Sequence, residues 1–278
     1  MLILAAAPIG NPLDASARLR STITEVSFIA AEDSRRFLRL CKDLGIAPRA
    51  KVISYFEGNE LSRLDEITSH LIEGADVLVI TDAGMPAVSD PGYRLIRIAL
   101  DHQIPISVLP GPSAVNTALL LSGLPTDRYL FDGFPPRTSE ARRKWLEKLV
   151  HEERTVVFFE APHRIHETIK DAVEILGGER EAALCREMTK QYEEIIRAPL
   201  SELLAKVEGR DILGEVTMVL AGISEIHHEP EDLIAAVLAR ESLGISRKDA
   251  IVDIAREMKV PKRELFDLMV SYKKDHER

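Results

Sequence analysis

Cysteine is scarce, with only Cys41 and Cys185 among 278 residues. They lie far apart, in segments that read as a helix and a strand, which suits buried thiols in a reducing compartment better than a disulfide framework. A cytoplasmic location is expected. The apolar start, residues 1–7, carries no basic region and meets Pro8 at once, so it is too short for a signal peptide or a membrane span. It reads as a first β-strand, and no membrane partner is expected. Positive charge is in deficit: 36 basic against 45 acidic residues leave a net charge of −9. That balance excludes general phosphate attraction as the main mode of binding, so a nucleic-acid partner needs a local basic patch.

Several site signatures are missing as well. No two glycines are separated by a single residue, so GxGxxG is absent, and neither GxxxxGK nor GxSxG occurs. Dinucleotide-binding, P-loop and serine-hydrolase readings lose their support. There is no HExxH. His163 and His166, three apart on a predicted helix, are the remaining metal candidates, and two ligands fall short of the four a structural zinc site needs. No metal is expected.

What is present is globular: 45% hydrophobic and 29% charged residues, with 15 glycines and 15 prolines scattered along the chain. The length favours two domains of ordinary size, one large domain being the alternative. Strand-length apolar runs at 2–6, 51–55, 77–80 and 106–109 alternate with helix-length amphipathic stretches. Asn59, for example, is placed to cap a segment whose Leu61, Leu64, Ile67, Leu71 and Ile72 recur at helical spacing before Gly74 closes it. This alternation predicts an α/β fold with a mainly parallel sheet. From about Tyr129 the pattern shifts to strands near 129–134, 155–160, 181–188, 193–198 and 215–222 with only three helices, which predicts a mixed sheet with antiparallel pairs. The segment 110–125, a turn followed by an apolar helix, marks the boundary. The predicted division is an N-terminal α/β domain over 1–112, a C-terminal α/β domain over 113–224 and, past a polar linker, a small helix-turn-helix-like appendage over 229–278.

Three small-residue turns follow strands of the first domain: APIGNP at 7–12, TDAGMPAVSDPG at 81–92 and PGPSAV at 110–115. Any one of them has a plain explanation, because strand-to-helix turns need glycine and proline. Together they are expected to open on one sheet edge, where their backbone groups and Asp82 suit a compact polar ligand.

These turns carry a resemblance. With AAEDSRR (30–36), SDPGYRLI (89–96), SGLP (122–125), FEAPHRI (159–165), CREMTK (185–190) with Glu193 and Glu194, and GEVTMVL (214–220), they resemble the tetrapyrrole methylase superfamily of S-adenosylmethionine (SAM) dependent enzymes. Within it the chain is most similar to the ribosomal RNA small subunit methyltransferase I family. The motifs run in order over residues 2–222. The central loop departs from the glycine-aspartate-proline form of tetrapyrrole-modifying relatives, reading Asp82-Ala83-Gly84-Met85-Pro86, which argues against a porphyrin-like substrate. The resemblance implies two α/β domains with the cofactor cleft between them. It also implies 2′-O-methylation of a cytidine in 16S rRNA of the small ribosomal subunit by a homodimer using SAM. The implied cofactor contacts are Pro8, Asp82, Met85, Pro86, Ser113 and Ala114 from the first domain and Phe159, Arg186, Thr217 and Met218 from the second.

A ribose hydroxyl is a poor nucleophile, so a base or a cation near the developing oxyanion is expected, and Glu32, Arg186 and Lys190 are the candidates. For Glu32 and Arg35 a salt bridge fixing a helix end is the competing reading, and for Lys190 a solvated loop position. Substrate contacts are expected from Asp33, Arg35, His163 and Arg164, and from a basic stretch, residues 137–148, that sets five basic side chains, Arg142, Arg143 and Lys144 among them, against two acidic ones. Trp145 within it is expected to pack inward. Methylation of a small molecule such as a tetrapyrrole, or a non-catalytic SAM-binding regulator, are the rival readings.

Overall fold

The computed structural model describes residues 1–223, 230–258 and 260–276. The expected linker falls largely outside the described residues. Strands β1 (Leu2–Ala5), β2 (Phe28–Ala31), β3 (Lys51–Ser54), β4 (Val77–Ile80) and β5 (Ile106–Leu109) alternate with α1 (Ala17–Glu25), α2 (Ser34–Asp43), α3 (Glu60–Ile72) and α4 (Tyr93–Asp101). The strands form one parallel sheet in the order β3-β2-β4-β1-β5. Both faces are covered. Residues of one parity, such as Ile3, Ile29 and Leu78, pack with Leu19, Ile23 and Phe37 of α1 and α2. Their neighbours, such as Leu4, Phe28 and Val79, pack with Ile67 and Leu71 of α3 and Leu95 of α4. Burial on both faces explains why these strands read as continuous apolar runs.

After α5 (Ala114–Ser122) come β6 (Tyr129–Phe131), α6 (Ser139–Lys148), β7 (Thr155–Glu160), α7 (Ile165–Leu176), β8 (Glu181–Arg186), β9 (Glu194–Pro199), α8 (Leu200–Val207) and β10 (Val216–Leu220). These strands make a second sheet, β6-β7-β10-β8-β9, in which only β6 and β7 pair in parallel. Its mixed character was legible in the sequence. One face carries Phe158, Leu184 and Met218 against α6, α7 and α8, with Trp145 packed inward as expected. The other carries Val157, Cys185 and Val219 against Val115, Ala118 and Leu119 of α5 and against Ile9 from the loop after β1. Ile9 therefore joins the two sheets in one hydrophobic cluster.

The described chain divides into two compact units, residues 1–222 and 223–278, and both sheets lie in the first. The second contains α9 (Pro230–Ser242), α10 (Arg247–Glu257) and α11 (Lys262–His276) around its own core of Leu233, Val237, Ile251, Ile254, Leu265 and Met269. Both cysteines are buried and free, and burial pushes their thiols up to about 11 for Cys41 and about 12 for Cys185. Among the described residues no helix is long and apolar enough to cross a membrane.

Candidate active site

In the parallel sheet β1 lies between β4 and β5, so the chain leaves the central strands in opposite directions and a crevice opens beyond their carboxyl ends. The three small-residue turns occupy that crevice. Two of them are joined: the Ala7 amide donates to the Gly84 carbonyl at 2.8 Å, and the Gly84 amide returns the bond to Ala7 at 3.1 Å. Gly84 has φ +71°, a conformation that glycine adopts without a Cβ penalty. Gly10 is held for a different reason. A Cβ there would come within 2.5 Å of Lys190 Cγ and 2.9 Å of the Met188 carbonyl, so the loop after β1 touches the turn after β8 backbone to backbone. The Asn11 amide adds a bond to Thr189 Oγ1 at 3.1 Å.

Strain collects in two of the loops. Ala87 and Ser89 after β4, and Glu187 and Thr189 after β8, have φ between 50° and 65°, the left-handed region that side chains avoid. Each such residue costs about 1–3 kcal/mol and persists only where its surroundings over-determine it.

Between the sheets lies a cavity of about 330 Å³. Ile9, Gly84, Met85, Ser113 and Ala114 bound it on one side, and Phe159, Val216 and Thr217 on the other. Phe159 stands edge-on to Phe131 and Phe134, with centroids 4.9 and 5.5 Å away, which makes an aromatic wall. Asp90 and Glu215 bring carboxylates to the same space. A second cavity of about 530 Å³ adjoins it, lined by Glu32, Glu57, Glu60, Arg94 and the segment from Ser89 to Tyr93. Ser89 and Asp90 belong to both.

Glu32 and Asp82 end adjacent strands and brace one another. Glu32 Oε2 accepts the Asp82 amide at 3.0 Å, and Asp82 Oδ1 accepts the Asp33 amide at 3.1 Å, while Arg36 pairs with Asp82 Oδ2 at 3.2 Å. Burial raises the affinity of both carboxylates for protons. Asp90 has no hydrogen bond or ion pair among the described residues, and burial, then the charges of Glu32, Asp82 and Glu215, push its carboxyl up to about 7.

Of the expected cofactor contacts, Met85, Ser113, Ala114, Phe159 and Thr217 line the first cavity. Pro8, Pro86 and Asp82 stand in its supporting loops. The alternation of β10 sends Met218 into the core on the opposite face from Thr217. Arg186 is bound to Glu194 at 3.1 Å and to the Leu213 carbonyl, away from the cavity lining. Lys190 bonds Glu187 at 2.8 Å and Glu215 at 3.0 Å. Burial opposes its charge, and those two hydrogen bonds outweigh it and keep the ammonium firmly protonated. The polar trio is therefore split. Glu32 lines the second cavity, and the two cations are neutralised in ion pairs.

The expected substrate residues are also redistributed. Asp33 caps α2 by accepting the Arg35 amide at 2.8 Å and pairs with the Arg35 guanidinium, which holds its carboxyl well below the usual range. Arg164 is half-buried, donates to the carbonyls of Pro135 and Pro136, and brings Nε within 3.3 Å of Glu160 without hydrogen-bond alignment. His163 is exposed on a short 3-10 turn, 162–164, and His166 lies in the first turn of α7, so the two do not share one helix as expected. Among the described residues no group of three metal-ligating side chains forms. Arg142 is a correction: its side chain is only 5% exposed and bound to Asp171 at 2.6 Å, so it does not belong to a solvated basic face. Arg143 pairs with Asp171 and Glu174, and Lys144 with Glu140. The residues the sequence reading passed over are Ser89, Asp90, Phe134 and Glu215. SDPG was on the page as a motif, but the burial that singles out Asp90 is a tertiary property.

The chain and its fold have recognisable kin. The profile of the family Tetrapyrrole (Corrin/Porphyrin) Methylases matches residues 1–204. A Mycobacterium bovis protein named ribosomal RNA small subunit methyltransferase I is 44% identical over 275 residues, 99% of this chain and 96% of that protein. A Thermotoga maritima protein of the same name is 41% identical over 221 residues, 80% of this chain and 98% of its own length. The crystal structure of uroporphyrin-III C-methyl transferase from Thermus thermophilus complexed with S-adenyl homocysteine superposes with a TM-score of 0.55 at 18% identity, covering 80% of this chain and 97% of that one. Three turns gathered on one parallel edge, a cavity closed by a mixed sheet, and a matching profile over most of both sheets lead to one conclusion: the chain belongs to the tetrapyrrole methylase family.

Proposed function

We propose that the protein transfers a methyl group from SAM to the ribose 2′-hydroxyl of a cytidine in 16S rRNA of the small ribosomal subunit, acting as a cytoplasmic homodimer. The observation that carries the reading is the 44% identity, over nearly the full length of both chains, to a protein named for that RNA.

The cavity suits the cofactor on physical grounds. Its apolar and aromatic lining takes a flat heterocycle, and Ser113 with the first turn of α5 offers uncapped donors for a carboxylate. Asp90 and Glu215 favour a cation. When bound, SAM supplies an electrophilic methyl on a positively charged sulfur. Met85, Ser113, Ala114, Phe159 and Thr217 hold it, while Pro8, Asp82 and Pro86 shape the loops that do so.

The second cavity is acidic, so the phosphates of an RNA stay outside it. Carboxylates accept well from the exocyclic amine of cytosine, which suits an unstacked cytidine entering there. Phosphate contact falls to the outer face of α2. Arg35 and Arg36 are 88% and 67% exposed there, and Arg39 lies exposed one turn on. This face stands beside Glu32 and Asp82, and it takes the role that the sequence alone gave to α6. On the edge strand β5 and on α5, exposed Val108 and Leu120 supply apolar surface for a second copy. The same reading divides the chain into domains 1–112 and 113–224 and the appendage 229–278.

Mass mapping of 16S rRNA nucleosides from cells with and without the protein tests the reading. A 2′-O-methylcytidine that disappears with the protein is the expected result, and an unchanged modification map rejects it.

A further inference from the structure

We propose that Tyr93 and Glu57 read the acceptor base, Tyr93 as the ring on which it stacks and Glu57 as the acceptor of its exocyclic amine. The inference rests on the methyltransferase reading above and deepens it.

The wall shared by the two cavities sets the direction in which a nucleotide lies. Ser89 and Asp90 face both, so a ribose that presents its hydroxyl to a donor methyl in the first cavity sits against them in the second. The exocyclic amine of cytosine is at the end of the base away from the ribose. It therefore points towards the residues that line the second cavity alone, with Glu57, Glu60, Tyr93 and Arg94 among them. A volume of about 530 Å³ is room enough for one nucleoside.

At that far end Glu57 is the carboxylate left free to take a donor. Glu60 accepts from Tyr55 Oη at 2.7 Å and from the Gly92 amide at 3.3 Å, and it pairs with Arg94 at 3.2 Å. Glu32 is held by the Asp82 amide, and Asp90 belongs to the shared wall at the ribose end. The Glu57 side chain has no hydrogen bond or ion pair among the described residues. Its backbone is fixed all the same. Asn59, expected to cap α3, makes no side-chain cap and instead accepts the Phe56 amide at 2.8 Å and donates to the Ser54 carbonyl at 3.0 Å, which closes the turn that carries Glu57.

Tyr93 supplies the flat face. It opens α4 and is 66% exposed, and its ring and hydroxyl have no contact of their own among the described residues. Both of its neighbours are tied to Glu60, Gly92 through its amide and Arg94 through its guanidinium, so the backbone is held while the ring stays uncovered. Stacking on such a ring is tolerant of base identity. Discrimination then falls to Glu57, because its carboxylate accepts from the amine of cytosine, whereas uracil turns a carbonyl oxygen towards it and leaves both groups unpaired.

Single-turnover transfer from labelled SAM, at saturating SAM, tests both residues on small ribosomal subunits whose accepting nucleotide is cytidine or uridine. Wild type should favour cytidine. Glu57→Gln should lower that preference by about 5 to 150 fold, since an amide donates to the uracil oxygen as readily as it accepts from the amine. The preference is a ratio taken on one preparation, so any loss of folded protein cancels from it. Tyr93→Leu should raise the half-saturating subunit concentration by about 5 to 150 fold, more than it lowers the rate at saturation, and Tyr93→Phe, which keeps the ring, should restore it. A wild type indifferent to the base, a preference unchanged in Glu57→Gln, a Leu variant within about twofold of wild type, or a Phe variant as impaired as the Leu variant overturns the assignment and leaves the methyltransferase reading standing. Wild-type protein that methylates neither subunit overturns that reading, and the assignment with it.

Discussion

Asp90 and Arg142 are both charged groups drawn out of solvent, and their surroundings give them opposite consequences. For Asp90 the native carboxyl titrates at about 7, above the ordinary aspartate value of an unfolded chain, so the native state holds the extra proton between those limits. Stability from this group is therefore full at low pH and falls as pH rises through neutrality. Asp90→Asn resembles the protonated form. It should melt above wild type at pH 8, with the gap closing towards pH 4, and calorimetric melts across that range check the sign. Arg142 is paired instead. Its removal leaves the Asp171 carboxylate, which is 8% exposed, with the Arg143 contact at 3.2 Å and the Ser139 hydroxyl, and Arg142→Ala should cost about 1.5–3 kcal/mol of unfolding free energy in urea titrations. Lys144→Ala, which loses only an exposed pair with Glu140, should stay within about 1 kcal/mol of wild type.

Among the elements, α2 shows what local pattern conceals. Its Phe37 and Cys41 face the core, which leaves Arg35, Arg36 and Arg39 outside. If these arginines meet phosphate, replacing Arg39 by Ala should weaken small-subunit binding and reduce the slope of log affinity against log salt by about one, measured between 50 and 200 mM salt. An unchanged slope leaves α2 an ordinary solvated face. Three bounded apolar runs were legible in sequence: 77–80, 106–109 and 155–160 are strands with the expected limits. Strand β2 was not, because half of FIAA is alanine and carries little β signal, and its pairing with β3 and β4 decides the matter. The three turns were legible through glycine and proline, and so was their convergence, since parallel strands must end on one edge. Partners were not legible. The sequence reading placed Arg186 and Lys190 with Glu32, but the acids that claim those two cations, Glu187, Glu194 and Glu215, are brought to them by the turn after β8 and by the pairing of β8 with β9 and β10.

At the scale of the whole molecule, the net charge of −9 coexists with a basic helix, so binding depends on where the arginines lie and not on the total. The lining residues of both cavities lie within residues 1–222. The Thermotoga relative, matched over 98% of its length by 221 residues, is about as long as that unit. A chain ending at Gly222 should therefore fold and bind SAM within about threefold of the full protein. Calorimetry on the truncated chain checks this, and loss of binding would give the helical unit a part in the site. The paired bonds between Ala7 and Gly84 carry one more consequence. They form an isolated antiparallel bridge just past the end of the parallel ladder, so they tie the floor of the cavity to the segment that follows β1, whereas the turn from Ala87 to Pro91 is closed by one backbone bond at 3.2 Å. Amide exchange should then be slow at Ala7 and Gly84, in step with β1, and fast from Val88 to Asp90. The wall that carries Asp90 should therefore open well before the floor does.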